Sequence, residues 1–197
     1  MEKLQLGAFD QGLEGWVNTD ITPHLFIAKI PGLAFMLRGV GLLPEDRYRQ
    51  HRARIFARLR YLNVARKFPF ADASFDCVYS SHMLEHLHPG DANHCLSEIH
   101  RILKPGGVVR IAVPDLAQVL NKYVPEAPEV FLDELFESKQ KSLKNMHHWH
   151  YNEFSLRRTL EAVGFQNIFK ESFRQGRCLD LDLIEQREES LFMEAVR

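Results

Sequence analysis

Three runs decide the architecture: Phe75-Asp76-Cys77-Val78-Tyr79-Ser80, the stretch from Asp91 to Leu103, and Val108-Val109-Arg110-Ile111-Ala112-Val113. The first reads as a strand, rich in aromatic and β-branched residues. From Asp91 the apolar residues Ala92, Cys95, Leu96, Ile99, Ile102 and Leu103 recur three and four apart. They make one face of a helix, with Asp91 as its expected cap. Lys104-Pro105-Gly106-Gly107 stops that helix, because proline cannot continue it and glycine tolerates the exit turn. Val108 to Val113 is near-continuously apolar, as a strand buried on both faces of a parallel sheet should be. A strand–helix–strand unit of this kind places the chain in the α/β class with right-handed crossovers.

The same alternation extends in both directions. Leu4-Gln5-Leu6 reads as a first strand ending at Gly7, and Trp16-Val17-Asn18-Thr19-Asp20 as a second that ends on a carboxylate. Tyr61-Leu62-Asn63-Val64 is the third. Downstream, helices are expected near Leu116–Tyr123, Pro128–Leu143 and Glu153–Val163, the last closed by Gly164, and strands at Gln166–Phe173 and Ser190–Val196. The expectation is a single domain over residues 1–197, with a seven-stranded, mostly parallel sheet and helices on both faces.

Residues 23–60 form a helical insert after strand two. Phe26, Ile30, Leu33, Leu37 and Val40 recur at helical spacing, with Pro31 starting or kinking the helix. Pro44-Glu45-Asp46 reads as the first turn of another helix, with proline at its first position, carrying Arg47, Arg49, Arg52, Arg54 and Arg58. An apolar stripe followed by an arginine-rich helix suits a lid. Over 24–58 it could touch a membrane surface and recruit a lipid-linked, anionic acceptor. The plainer readings are an amphipathic cover for the sheet edge or a homodimer contact.

Composition bounds the rest. The 197 residues carry a formal net charge of −1, so no nucleic-acid partner is expected. Three cysteines without a C-x-x-C pair suggest neither a zinc knuckle nor a disulfide framework, and they suit a cytoplasmic protein. No signal peptide is read at the start. The apolar stretch Leu25 to Leu43 is interrupted by Lys29, Pro31 and Arg38, so no membrane span is expected.

Three blocks, in this order and spacing, carry a family resemblance: Phe68-Pro69-Phe70-Ala71-Asp72-Ala73-Ser74-Phe75-Asp76, Ser80-Ser81-His82-Met83-Leu84-Glu85-His86-Leu87, and Glu98-Ile99-His100-Arg101-Ile102-Leu103-Lys104-Pro105-Gly106-Gly107. They resemble the core of the type 11 class I methyltransferases, with their Rossmann-like fold. The opening Leu4-Gln5-Leu6-Gly7 and Gly15-Trp16-Val17-Asn18-Thr19-Asp20 is similar to a branch associated with bacterial surface-glycan synthesis. So are His148-Trp149-His150-Tyr151, Phe154-Ser155-Leu156-Arg157-Arg158 and the closing Glu189-Ser190-Leu191.

The resemblance implies S-adenosyl-L-methionine as cofactor and a small-molecule or glycan acceptor, methylated on oxygen. It implies cofactor contacts from Gly7, Ala8, Phe9, Asp20, Asn63, Ser80 and Ser81. Asp20 would grip the ribose hydroxyls, Asn63 would sit beside the adenine, and the two serines would line the methionine end. The chain departs from the family pattern at Gly7-Ala8-Phe9, where a second glycine is usual, and at Asn63, where an aspartate is usual. Phe9 puts a ring where the cofactor's amino-acid end lies, so the alternative reading is a non-catalytic scaffold on the same fold.

For a hydroxyl acceptor a general base helps, and histidine suits working pH. His82, straight after strand four, and one of His147, His148 and His150, which flank Trp149, are the candidates, with His148 and His150 preferred in that loop. Glu85 and His86 are read as structural, and Asp115 as a cap for the next helix. His82-Met83-Leu84-Glu85-His86 also satisfies H-x-x-E-H, a zinc-hydrolase signature. That chemistry wants both histidines on one helix, whereas His82 falls at a strand end, so no metal site is expected.

Overall fold

The computed structural model describes residues 1–136 and 146–197. Seven strands, β1 (Lys3–Leu6), β2 (Val17–Asp20), β3 (Arg60–Tyr61), β4 (Phe75–Ser81), β5 (Leu103–Pro114), β6 (Gln166–Glu171) and β7 (Ser190–Val196), form one sheet in the order β3-β2-β1-β4-β5-β7-β6. β7 runs antiparallel to both its neighbours, and the other pairings are parallel. The strand order reverses between β1 and β4, and ligands of open α/β sheets bind beyond the strand ends at that point.

The helices are α1 (His24–Ile27), α2 (Leu33–Gly39), α3 (Glu45–Arg52), α4 (Pro89–Ile102), α5 (Leu116–Leu120), α6 (Pro128–Phe136), α7 (Glu153–Val163) and α8 (Leu181–Ile184). One face of the sheet meets α4 and α7. Leu4, Leu6, Val78, Val109, Ile111 and Met193 pack there against Cys95, Leu96, Ile99, Leu156 and Leu160. α7 begins at a reciprocal cap, in which Asn152 accepts from the Ser155 N–H and the Ser155 hydroxyl accepts from the Asn152 N–H. It ends at Gly164, whose φ of 109° few side chains tolerate. The opposite face carries Cys77 and Tyr79 and is covered by Leu181 and Ile184 of α8, with Cys178, Trp16 and Leu13. Residues 172–189 therefore form a strap across that face.

Several local expectations shift. Pro89, not Asp91, opens α4, with His88 as its cap residue, because proline's fixed φ suits the first helical turn. β3 is only Arg60–Tyr61, so Asn63 lies in the turn beyond it, where its Oδ1 accepts from the Ala65 N–H. The insert is broken more finely than its periodicity suggests. Gly32, at φ 78°, separates α1 from α2, and Pro44 caps α3 rather than entering it. The arginine-rich helix stops at Arg52, and Arg54 adopts φ 59° before a 3-10 turn over Ile55–Arg58. The predicted helix from Pro128 is seen to Phe136, and its remainder lies outside the described residues. No helix among the described residues is long and apolar enough to cross a membrane.

β1 and β2 are parallel neighbours joined by residues 7–16 alone, with no helix between them. Parallel strands usually need a longer crossover. Here the turn is held by Ala8 N–H to the Thr19 carbonyl (3.0 Å) and by Asn18, which both accepts from the Leu13 N–H (3.1 Å) and donates to the Leu13 carbonyl (2.9 Å).

Candidate active site

The reversal point opens into two hollows. One, of about 150 Å³, is lined by Gly7, Ala8, Phe9, Asp10, Gln11, Ser81, His82, Gln186 and Arg187. The other, of about 250 Å³, is bordered among others by His82, Asp115, Lys122, His147, Arg187 and Ser190. His82 and Arg187 border both, so a group held in the first hollow meets one held in the second at these two side chains.

The first hollow is built by the turn after β1. Gly7 has φ 65°, and a Cβ there would lie 3.0 Å from Met83 Cγ, so only glycine fits comfortably. Phe9, at φ 42°, turns its ring toward the insert. The ring lies 5.8 Å from that of Phe56 and 6.2 Å from that of His24, with the Arg47 guanidinium 4.7 Å above it. It forms a wall of the hollow and does not fill it. Ala8 is buried with Leu25, Phe56 and Leu59, and so seats the insert as well as bordering the hollow. Asp10 fixes α3 to this turn through Arg47 (2.9 Å) and Gln50 (2.8 Å).

Asp20 stands at the end of β2. One carboxylate oxygen accepts from the Phe9 N–H (3.0 Å) and the other from the Thr22 N–H (2.6 Å). Burial pushes its carboxyl above the usual aspartate value, against the pull of those backbone donors. Each oxygen retains further lone-pair capacity, enough for a pair of vicinal hydroxyls. The first hollow offers an adenosyl group a side-chain-free turn at Gly7 and Ser81 on the far wall, while Asp20 borders neither hollow and is joined to the turn through the Phe9 N–H.

Not every expected contact assembles. Ser80 is buried on the sheet, its Oγ without a hydrogen-bond partner, and borders neither hollow, whereas Ser81 borders the first. The alternation of β4 explains the split, since successive side chains point to opposite faces. Asn63 turns its side chain into its own loop, although the Leu62 N–H beside it donates to the Asp20 carbonyl (3.2 Å).

The second hollow depends on His82. Its φ of 47° is unusual for a residue with a side chain, and its N–H extends the β4–β5 ladder by donating to the Ala112 carbonyl (2.9 Å). Nε2 lies 2.8 Å from the Ser190 hydroxyl of β7, and Nδ1 lies 3.2 Å from Glu85 Oε1. An imidazole held between a buried carboxylate and a hydroxyl at a hollow has the layout of an oriented acid–base group. Asp115 caps α5 by accepting from the Ala117 N–H (3.0 Å) while also bordering this hollow.

Of the three loop histidines, His148 and His150 do not reach it. His148 is exposed and stacks on His88 at 4.3 Å, and His150 packs behind His147 at 5.2 Å. His147 is the member of that loop that borders the hollow. The loop is pinned by its backbone, with the His148 and Trp149 N–H groups donating to the Glu85 carbonyl (2.8 and 3.1 Å), so its side-chain directions are set by hydrogen bonds invisible to sequence periodicity. Arg187 was missed, since nothing in its sequence surroundings marks it. Ser190 was within reach, as part of the closing Glu189-Ser190-Leu191 motif.

This sheet order, with its crevice at the β1/β4 reversal, defines the Rossmann-like fold of class I methyltransferases. Comparison with known proteins agrees: residues 42–111 match the family model described as a methyltransferase domain. Among curated proteins, an uncharacterized methyltransferase of Synechocystis is 28% identical over 113 residues, 57% of this chain and 49% of that protein. The chain thus spans about half the length of that curated relative. Among solved structures, an S-adenosylmethionine-dependent methyltransferase from Archaeoglobus fulgidus superposes with a TM-score of 0.58 at 16% identity, covering 100% of this chain and 86% of that one. A Burkholderia thailandensis 1,6-didemethyltoxoflavin-N1-methyltransferase, solved with its acceptor and S-adenosylhomocysteine, gives 0.52 at 17% identity, covering 99% and 70%.

Proposed function

We propose that the chain, acting as one domain over residues 1–197, transfers a methyl group from S-adenosylmethionine to the oxygen of a small, glycan-type acceptor. The observation that carries this reading is the meeting of the two hollows at His82 and Arg187. Methyl transfer needs donor and acceptor held in line more than it needs covalent catalysis, and such positioning can lower a barrier by roughly 7–11 kcal/mol.

Gly7, Asp20 and Ser81 would hold the cofactor, with Asp20 accepting from the ribose hydroxyls. When bound, the cofactor supplies a methyl group on a positively charged sulfur, open to displacement by a lone pair. His82 Nε2, steadied through Nδ1 by Glu85, takes the proton of the acceptor hydroxyl. Ser190 marks the place of a hydroxyl within hydrogen-bond reach of that nitrogen. Arg187 borders the acceptor hollow beside Asp115 and Glu189, and Lys122 there pairs with Glu134 (2.5 Å), a mixed polar lining that suits a hydroxyl-rich sugar.

The insert supports a peripheral role beside a cytoplasmic membrane face. Phe35, Met36, Val40 and Leu42 are exposed (Phe35 69%, Leu42 73%), an apolar row that no other described residue covers. Arg47 is spent on Asp10 and Arg49 on Glu45, while Arg58 lies 3.7 Å from Glu14, so these arginines hold the insert together rather than forming a free cationic face. A homodimer through this row is the competing use. Flotation with liposomes, with and without anionic lipid, separates the two: retention on lipid supports the membrane role, and concentration-dependent dimerisation without retention supports the other.

The reading is tested by calorimetric titration of S-adenosylmethionine, followed by transfer of a labelled methyl group to sugar phosphates and diphosphate-linked sugars. Saturable binding and labelled product support it. Absence of binding leaves a non-catalytic scaffold on this fold.

A further inference from the structure

The turn after β4 and the loop before α7 bring together Glu85, His86 and His147, whose ligand-type atoms all lie within 4.8 Å of one another. Glu85 is 1% exposed, and among the described residues neither of its carboxylate oxygens has a hydrogen-bond partner. Its nearest positive-capable neighbours are His82 Nδ1 at 3.2 Å and His147 Nε2 at 4.0 Å. A buried carboxylate without hydrogen bonds is costly unless a cation accompanies it. His150 stands behind, both ring nitrogens buried and without hydrogen-bond partners.

We propose that Glu85, His86 and His147 hold a divalent transition-metal ion, of the zinc type, on the wall of the acceptor hollow. Two imidazoles and one carboxylate are a ligand set that zinc accepts, and three protein ligands leave a fourth position open. The surroundings prepare the site. The Nδ1–H of His86 donates to the Met146 carbonyl (3.2 Å), leaving Nε2 as its lone-pair nitrogen, and a ligating histidine commonly has its other nitrogen occupied in this way. The His148 and Trp149 N–H bonds to the Glu85 carbonyl fix the loop carrying His147 against the turn carrying the other two ligands. Tetrahedral zinc places its ligand atoms roughly 3.3 Å apart, given metal–ligand bonds of about 2.0–2.1 Å, so closing around the ion takes side-chain rotations of about an ångström.

The H-x-x-E-H spacing contributes only its Glu85-His86 end to this site. His82 lies at the strand end, outside the trio, while Glu85 and His86 sit in a 3-10 turn over Leu84–His86, and His147 supplies the ligand that the motif alone lacks.

The test titrates the metal-free protein with zinc by calorimetry and with cobalt(II) by visible absorption. One saturating equivalent and intense tetrahedral cobalt bands are expected, with His86→Gln and His147→Gln each weakening zinc at least tenfold. His148→Gln, at the exposed neighbour, should leave affinity unchanged. Lack of saturable binding, weak octahedral-type bands, or an equal loss in His148→Gln would overturn the site. If a ligand variant fails to fold, by circular dichroism, the cobalt spectrum of the native chain decides alone. Methyl-donor binding is read in a separate titration, so failure here leaves the methyltransferase reading standing.

Discussion

Arg110 Nε and Glu185 Oε1 lie 2.7 Å apart with both side chains wholly buried. The same guanidinium donates to the Gln175 and Ser172 carbonyls (2.9 Å each) and lies 3.5 Å from Glu194 Oε1. One side chain of β5 therefore ties the strap of residues 172–189 to the sheet. Arg110→Met would strand two buried carboxylates, and a stability loss of about 3–5 kcal/mol is expected by urea denaturation. Arg110→Lys should rescue little of it, because an ammonium cannot fork to several acceptors at once. The strap carries Gln186 and Arg187 to the donor hollow, so cofactor affinity should fall with it.

Gly176 lies in the same strap at φ 147°, where a Cβ would come within 2.3 Å of Glu194 Oε1. That carboxylate accepts from the Arg177 and Cys178 N–H groups (2.8 and 3.0 Å). Gly176→Ala should displace it and lower the thermal midpoint clearly, whereas Gly90→Ala, with open space around it, should not.

Asp20→Ala removes the acceptor of the Phe9 and Thr22 N–H groups and, on the proposed function, of the ribose hydroxyls. Loss of charge-assisted hydrogen bonds worth about 1.5–3 kcal/mol predicts roughly ten- to hundredfold weaker binding of S-adenosylhomocysteine by calorimetry. Burial raises this carboxyl, so it protonates at a higher pH than the usual value of 3.8 as acid is added. Donor affinity should therefore start to fall at a pH above the ordinary aspartate range. The sign for stability is the reverse. The folded state holds this proton more tightly than the unfolded chain, so the contribution of Asp20 to stability is present at low pH and is lost as pH rises through its folded value. Asp20→Asn should flatten the acid limb of the binding profile.

His82→Gln keeps a hydrogen-bonding side chain but cannot take a proton. Turnover on a hydroxyl acceptor should drop by about 10²–10⁴-fold while donor affinity stays within a few-fold, read by labelled-methyl transfer beside calorimetry. An equal loss in both would mean that His82 only shapes the hollow.

The sheet was legible where local pattern and global position agree. The helical face from Ala92 to Leu103 and the runs at Phe75 and Val108 are buried as their periodicity requires, and α7 and β7 fall on their expected bounds. The insert was less legible, because left-handed turns at Gly32 and Arg54 cut its apolar period, and tertiary contacts such as Asp10–Arg47 decide where its helices lie. Gly7, Ser81 and His82 border the first hollow from their expected strand-end positions, while Asp20 is tied to it through the Phe9 N–H. His147 displaced His148 and His150 because loop side-chain direction follows backbone hydrogen bonds to Glu85. Ser80 and Ser81 differ by one step of strand alternation, which a single sequence does not phase.

β6 precedes β7 in the chain, yet among the described residues β7 is its sole partner in the sheet. During synthesis, residues 166–171 must wait as an unpaired ribbon until Ser190–Val196 emerge and slot between them and β5. The hydroxyl facing His82 arrives on that same late strand. A nascent chain thus completes the hollow beside His82 only as it closes its own sticky margin, and stalling before that moment leaves a template for aggregation.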